Sequence, residues 1–195
     1  MSVIFGIQEE NQIIIAGDKR VSTADGSFIS DDWEKVIVIN KHLAFVSAGN
    51  GAIEKAIMAD IHKHPNIEQL SSDDLCEIIQ TFYERVKKEG IVSILALPFC
   101  CLIAGKNKNG KPTLINCGCF KMKLNFSEVP MALYPPTKES HQSCNLSFAR
   151  NYKLHHDTFA ERTIEDVSKI SSLVSPTGSK WTYNFEKQIG LLESF

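Results

Sequence analysis

The sequence predicts an α+β fold in which antiparallel sheets pack between helices. Three observations point to it. Apolar runs of strand length, Val3 to Ile7, Ile13 to Ala16, Val36 to Ile39 and Leu43 to Val46, dominate the opening of the chain. Two stretches with helical apolar spacing follow, then more strand-like runs, two further helices and a closing segment of strand character. The segments between neighbouring strands are short and polar, as hairpins require. The order strands, two helices, strands, two helices, strands fits two antiparallel sheets stacked between helical layers, an αββα sandwich.

Each element has its own signal. Ser2 to Ile7 and Ile13 to Ala16 flank the polar turn Glu9-Glu10-Asn11-Gln12, which makes a hairpin with Ser2 near one end and Gly17-Asp18 near the far end of its partner. Ala24-Asp25-Gly26 is a turn signal. A third strand opens straight after Lys35, and a fourth ends at Ser47-Ala48-Gly49-Asn50-Gly51. Asp18 and Lys35 thus fall at strand boundaries, where loops present side chains to a cleft.

Ile53, Ile57 and Ile61 lie one helical turn apart, and that helix stops near His64-Pro65, since proline disfavours helix at the residue before it. Ser71-Ser72-Asp73-Asp74 is an N-cap cluster with acids in the first turn. Leu75, Ile78, Ile79, Phe82 and Val86 then form one amphipathic stripe, closed by Lys87, Lys88 and Gly90.

Residues 91–134 return to strand character. Phe99 to Ala104 and Thr113 to Cys117 flank an Asn109-Gly110 turn, and 121–126 alternates as a half-exposed strand. Tyr134-Pro135-Pro136 breaks the pattern. A weak helix covers part of 138–157, a final one carries Ile164, Val167, Ile170 and Val174 from Thr163 onward, and 180–192 supplies one or two closing strands.

With 195 residues, the chain suits a single domain over 1–195 with a sizeable core. Its net charge of −2 points to neither a nucleic-acid nor an acidic-membrane partner. No apolar run approaches the roughly 20 residues of a membrane span, and no signal-peptide pattern opens the chain, so the expected location is cytoplasmic. Cys76, Cys100, Cys101, Cys117, Cys119 and Cys144 include no C-x-x-C pair and read as reduced, buried small hydrophobes. No metal site is expected from them.

Ser2 carries the chemical interest. A small residue behind the initiator usually lets Met1 be trimmed, which gives Ser2 a free α-amine. Such an amine has a pKa of about 7.7–8.0, and one residue then holds both a nucleophile and a base.

These segments resemble the proteasome β-subunit and HslV-type peptidases of the N-terminal nucleophile hydrolases. Ser2-Val3-Ile4-Phe5-Gly6 matches the family's mature Thr-Thr-Ile-Val-Gly, with Ser2 at the catalytic Thr. Gly17-Asp18-Lys19-Arg20-Val21-Ser22 matches Ala-Asp-x-Arg-x-Thr, Lys35-Val36 matches the Lys-Ile/Val segment, and Ala48-Gly49 matches the Ala-Gly turn. The resemblance covers about residues 2–95 well and is faint beyond. It singles out the four-layer αββα sandwich of this superfamily.

The resemblance implies a cofactor-free peptidase. Ser2 is the nucleophile and its own amine the base; Lys35 stays protonated beside Oγ; Asp18 pairs with Lys35; the Gly49 N–H meets the oxyanion. Val21 and Ser47 border the pocket for the residue before the cut, and the Ser22 backbone pairs with an extended peptide or unfolded-protein substrate. A homo-oligomeric ring and an unfoldase ATPase partner are implied on the same basis. A silent ring subunit and an amidase for small amides are the alternatives.

Two departures stand out. The family's Gly-Ser-Gly turn has no clear counterpart between 125 and 150, where Ser127, Ser140 and Ser143 are the candidates. Its later Asp-x-x-Ser falls on Ser172-Leu173-Val174-Ser175, so the acid is absent.

Overall fold

The computed structural model describes residues 2–23, 26–91, 99–120 and 123–195. Ile4–Gln8 (β1) and Gln12–Asp18 (β2) form the expected hairpin, with Ile4 opposite Gly17. Val21–Ser22 (β3) and Phe28–Ser30 (β4) make a two-stranded ribbon absent from the sequence reading. Ala24 and Asp25 of the expected turn, and 92–98 of the expected strand region, lie outside the described residues. Val36–Asn40 (β5) and Leu43–Gly49 (β6) lead into Gly51–His62 (α1) and Ser72–Lys88 (α2). Phe99–Lys106 (β7), Pro112–Phe120 (β8), Lys123–Glu128 (β9) and Met131–Tyr134 (β10) follow. His141–Leu154 (α3) and Phe159–Ile170 (α4) precede Gly178–Asn184 (β11) and Ile189–Ser194 (β12).

The strands form two five-stranded antiparallel sheets, ordered β10-β1-β2-β11-β12 and β5-β6-β7-β8-β9. Side chains alternate strictly between their faces. Ile4, Ile13 and Ile15 join Trp181 and Tyr183 against Val36, Ala44, Val46, Leu102, Ala104 and Leu114 of the other sheet. Phe5, Ile7, Ile14 and Ala16 point the opposite way, onto Phe148 of α3 and Phe159, Ile164 and Val167 of α4. Leu43, Phe45, Cys101, Ile103 and Cys117 meet Ile53, Ile57 and Ile61 of α1 and Leu75, Ile79 and Phe82 of α2. Burial on both faces is why these strands read as unbroken apolar runs.

Local signals explain the ends of the elements. Ser71 caps α2 through a reciprocal capping box with Asp74. Gly110 has φ +77°, as the tight β7–β8 turn requires. The last helix differs from expectation at both ends. It begins at Phe159, not Thr163, because Phe159 packs on Phe5, Phe148 and Tyr152 and starts the apolar stripe. It stops at Ile170 because Ser171 is extended, and Val174 is buried from the following segment instead. The closing segment is two strands, and β10 is a further strand that the sequence reading did not separate.

All six cysteines are free, with Cys101, Cys117 and Cys144 buried and the rest half-buried. No helix among the described residues is long and apolar enough to cross a membrane.

Trp181 is fully buried between the sheets, stacked on Tyr183. Trp181→Ala is expected to cost about 3–5 kcal/mol, read as a lowered urea midpoint; a loss below about 1 kcal/mol would contradict this packing.

Candidate active site

Two strand ends and one helix start meet at a cavity of about 90 Å³. Ser2, Val21, Ser22, Lys35, Ser47 and Gly49 all line it, together with Arg20, Trp33 and Glu54. Asp18 is in contact with one of these lining residues, Lys35.

Asp18 ends β2 and is fully buried. Its Oδ1 accepts the Val3 N–H at 3.0 Å and the Lys35 ammonium at 2.7 Å. Its Oδ2 accepts the Arg20 N–H at 2.9 Å and the Ser175 N–H at 3.3 Å. Four donors therefore satisfy one carboxylate, as a buried charge requires. The single oxygen Oδ1 ties the peptide that follows Ser2 to the ammonium of Lys35. A solvated surface salt bridge, the plain alternative for this pair, is excluded by side-chain exposures of 0% and 5%.

Lys35 sits just ahead of β5, and its carbonyl accepts the Ser47 N–H at 3.3 Å. Burial lowers the pKa of its ammonium, opposed by the charges of Asp18, Glu54 and Asp31. Gly49, the last residue of β6, has φ +111°, a region that side chains rarely adopt. Asn50 then caps α1 by accepting the Ala52 N–H, so the partly positive start of a helix adjoins the cavity. The Ser22 hydroxyl is buried with no hydrogen-bond partner among the described residues.

Sequence reasoning missed Glu54, Trp33 and Asp31. Glu54 is buried in the first turn of α1, three residues before Ile57 and beside Ile53, on the rim of the apolar stripe. That position was the available signal. Its carboxylate accepts hydrogen bonds from the Ser47 hydroxyl and from the Trp33 indole N–H at 3.2 Å. Burial raises its pKa, opposed by those two bonds and by Lys35.

The serine candidates for the missing turn do not come here. Ser127 pairs with Asn116 within β8–β9, Ser140 donates to the Thr137 carbonyl ahead of α3, and Ser143 is exposed on α3. The segment 172–175 does reach the site: Ser175 supplies a donor to Asp18, and the Ser172 carbonyl accepts the Arg20 guanidinium at 2.6 Å.

Glu54 makes stability depend on pH. A carboxyl whose folded pKa exceeds its unfolded value of 4.5 contributes stability that is complete below 4.5 and lost as pH rises through the folded value. Melting temperatures across pH for wild type and Glu54→Gln are expected to separate in favour of Glu54→Gln as pH climbs above 4.5. Parallel curves would contradict the burial assigned to this carboxylate.

The model of the proteasome subunit family matches residues 2–119, more than half of the chain. A comparison with curated proteins found no match.

Proposed function

Because the chain belongs to the proteasome subunit family, we propose that it is a peptidase of that family that uses Ser2 as an N-terminal nucleophile. The observation that carries this reading is the meeting of Ser2, Lys35 and Gly49 on one cavity beside a fully satisfied Asp18. Family membership supports hydrolase chemistry in general terms, and the residues suggest how it would run.

With Met1 removed, the Ser2 Oγ attacks the carbonyl carbon of a peptide bond. The Ser2 amine, directly or through one water, takes the hydroxyl proton and later gives it to the departing amine. Lys35, held as a cation by Asp18, lowers the cost of the developing alkoxide. The Gly49 N–H meets the tetrahedral oxyanion, an interaction whose loss costs roughly 3–4 kcal/mol in comparable sites. Water then hydrolyses the acyl-enzyme and frees Ser2. Val21 and Ser47 border the pocket for the residue before the cut, and the Ser22 backbone extends the sheet toward an extended substrate.

The same reading takes residues 1–195 as one domain. On this reading the fold is a four-layer αββα sandwich, which three apolar seams support: helices on sheet, sheet on sheet, sheet on helices. The active form is a homo-oligomeric ring in the cytoplasm, fed with unfolded chains by an ATPase partner and needing no cofactor.

A second reading, a silent ring subunit, is favoured by one observation: none of Ser127, Ser140 and Ser143 lines the cavity. Intact mass and turnover of a fluorogenic peptide panel separate the two. The peptidase is expected to begin at Ser2 and to lose at least about a thousandfold in kcat on Ser2→Ala. Turnover unchanged by that substitution removes the mechanism. A folded chain beginning at Ser2 without turnover is the silent subunit, and cleavage of small amides but not peptides makes it an amidase.

A further inference from the structure

Asp18 is held by two backbone donors, Arg20 and Ser175, on the same oxygen. The side chain of Arg20 reaches another carboxylate, Asp31. Arg20 grips Asp31 with both arms of its fork, Nε to Oδ1 and Nη2 to Oδ2, each at 2.7 Å. The Arg20 fork, first among its contacts, holds the Asp31 carboxyl below its usual range. Asp31 itself lies four residues before Lys35, in the connection between β4 and β5.

We propose that Asp31 is a positioning residue for the Asp18–Lys35 pair, clipping the loop that carries the cation to the two segments that hold its counter-ion. The proposal rests on reading Lys35 as the cation of the active site. Asp31 is joined to the β2–β3 corner through Arg20, and through the same guanidinium to the segment ahead of β11. The remaining arm of Arg20 binds the Ser172 carbonyl at 2.6 Å, so all three segments close on one fork. Asp18, the counter-ion of Lys35, takes the backbone N–H of Arg20, whose guanidinium holds Asp31, so the four residues follow one another in contact. A bidentate fork fixes geometry as well as charge, which a lysine at position 20 would not do.

A purely structural role for the ion pair predicts little effect on function. Asp31 is a third exposed on its side chain and Arg20 a fifth, and partly exposed pairs of this kind contribute modestly to stability. Neutralising Asp31 should therefore leave the fold intact. It would leave the Arg20 guanidinium with the Ser172 carbonyl and the Phe28 ring but without a paired carboxylate. Lys35 is faced by Asp18, Glu54 and Asp31, all of which favour its charged form, and burial opposes them. Removing Asp31 takes away one of these anions and unbalances the neighbouring Arg20 cation, so Lys35 should lose its proton at lower pH.

The test compares wild type, Asp31→Asn and Asp31→Glu by three readouts: Lys35 acetylation by trace acetic anhydride across pH, kcat and KM on a fluorogenic peptide, and melting temperature. For Asp31→Asn the Lys35 titration is expected at lower pH. Its kcat should fall about tenfold to a hundredfold with KM little changed, and its melting temperature should stay near that of wild type. Asp31→Glu should restore most of kcat and the Lys35 titration. An unchanged Lys35 titration in Asp31→Asn overturns the proposal, as does a chain that fails to fold, since that would make the residue structural. If the wild type shows no turnover that depends on Ser2, the peptidase reading fails by itself, and the Lys35 titration still decides the role of Asp31.

Discussion

A carboxylate and an ammonium buried together set the terms for everything around them. Taking two charges out of water costs several kcal/mol each, and their attraction repays this only when the remaining lone pairs and protons are satisfied. At Asp18 that condition is met by Val3, Arg20 and Ser175 together with Lys35. These donors come from the chain's opening segment, the β2–β3 corner and the approach to β11. The pair can exist only where those segments meet, so it fixes the start of the chain against the second sheet. The sheets themselves are held by apolar packing, which is non-directional. The ion pair supplies the directional element at this corner.

That arrangement also explains the local departures from ordinary sequence preference. Gly49 takes a backbone conformation unsuited to side chains just where a helix begins. Glu54 is buried with no salt bridge among the described residues and is satisfied by the Ser47 hydroxyl and Trp33. The Ser22 hydroxyl has no partner among the described residues. Costs of this kind concentrate where a surface is kept ready for something other than the protein's own side chains.

Much of the fold was legible because its strands and helices carry strong periodic signals. The β1–β2 hairpin followed from two apolar runs around a polar turn, and α2 from one stripe and one cap. The β3–β4 ribbon was not legible, since two- and three-residue strands leave no period to read. The start of the last helix was missed because it lacks a side-chain cap, and tertiary contacts of Phe159 take the place of a local signal. At the site, Ser2, Asp18, Lys35 and Gly49 were singled out by the family resemblance, and the fold brings them together in space. Glu54 and Asp31 were not, because a lone acid in a helix or loop looks solvated until its partners are known. The departure at 172–175 was visible as a missing acid, but the Arg20–Asp31 contact was not, since nothing in the sequence pairs two charges eleven residues apart.

The central claim is that Ser2 is the reacting residue beside this buried pair. Incubation with an acylating peptide β-lactone, followed by intact mass and peptide mapping, tests it most directly. The account predicts a single adduct on the peptide that begins at Ser2, lost in a Lys35→Ala chain that remains folded. An adduct confined to a cysteine, or a chain that still begins with Met1 and takes up none, would contradict it.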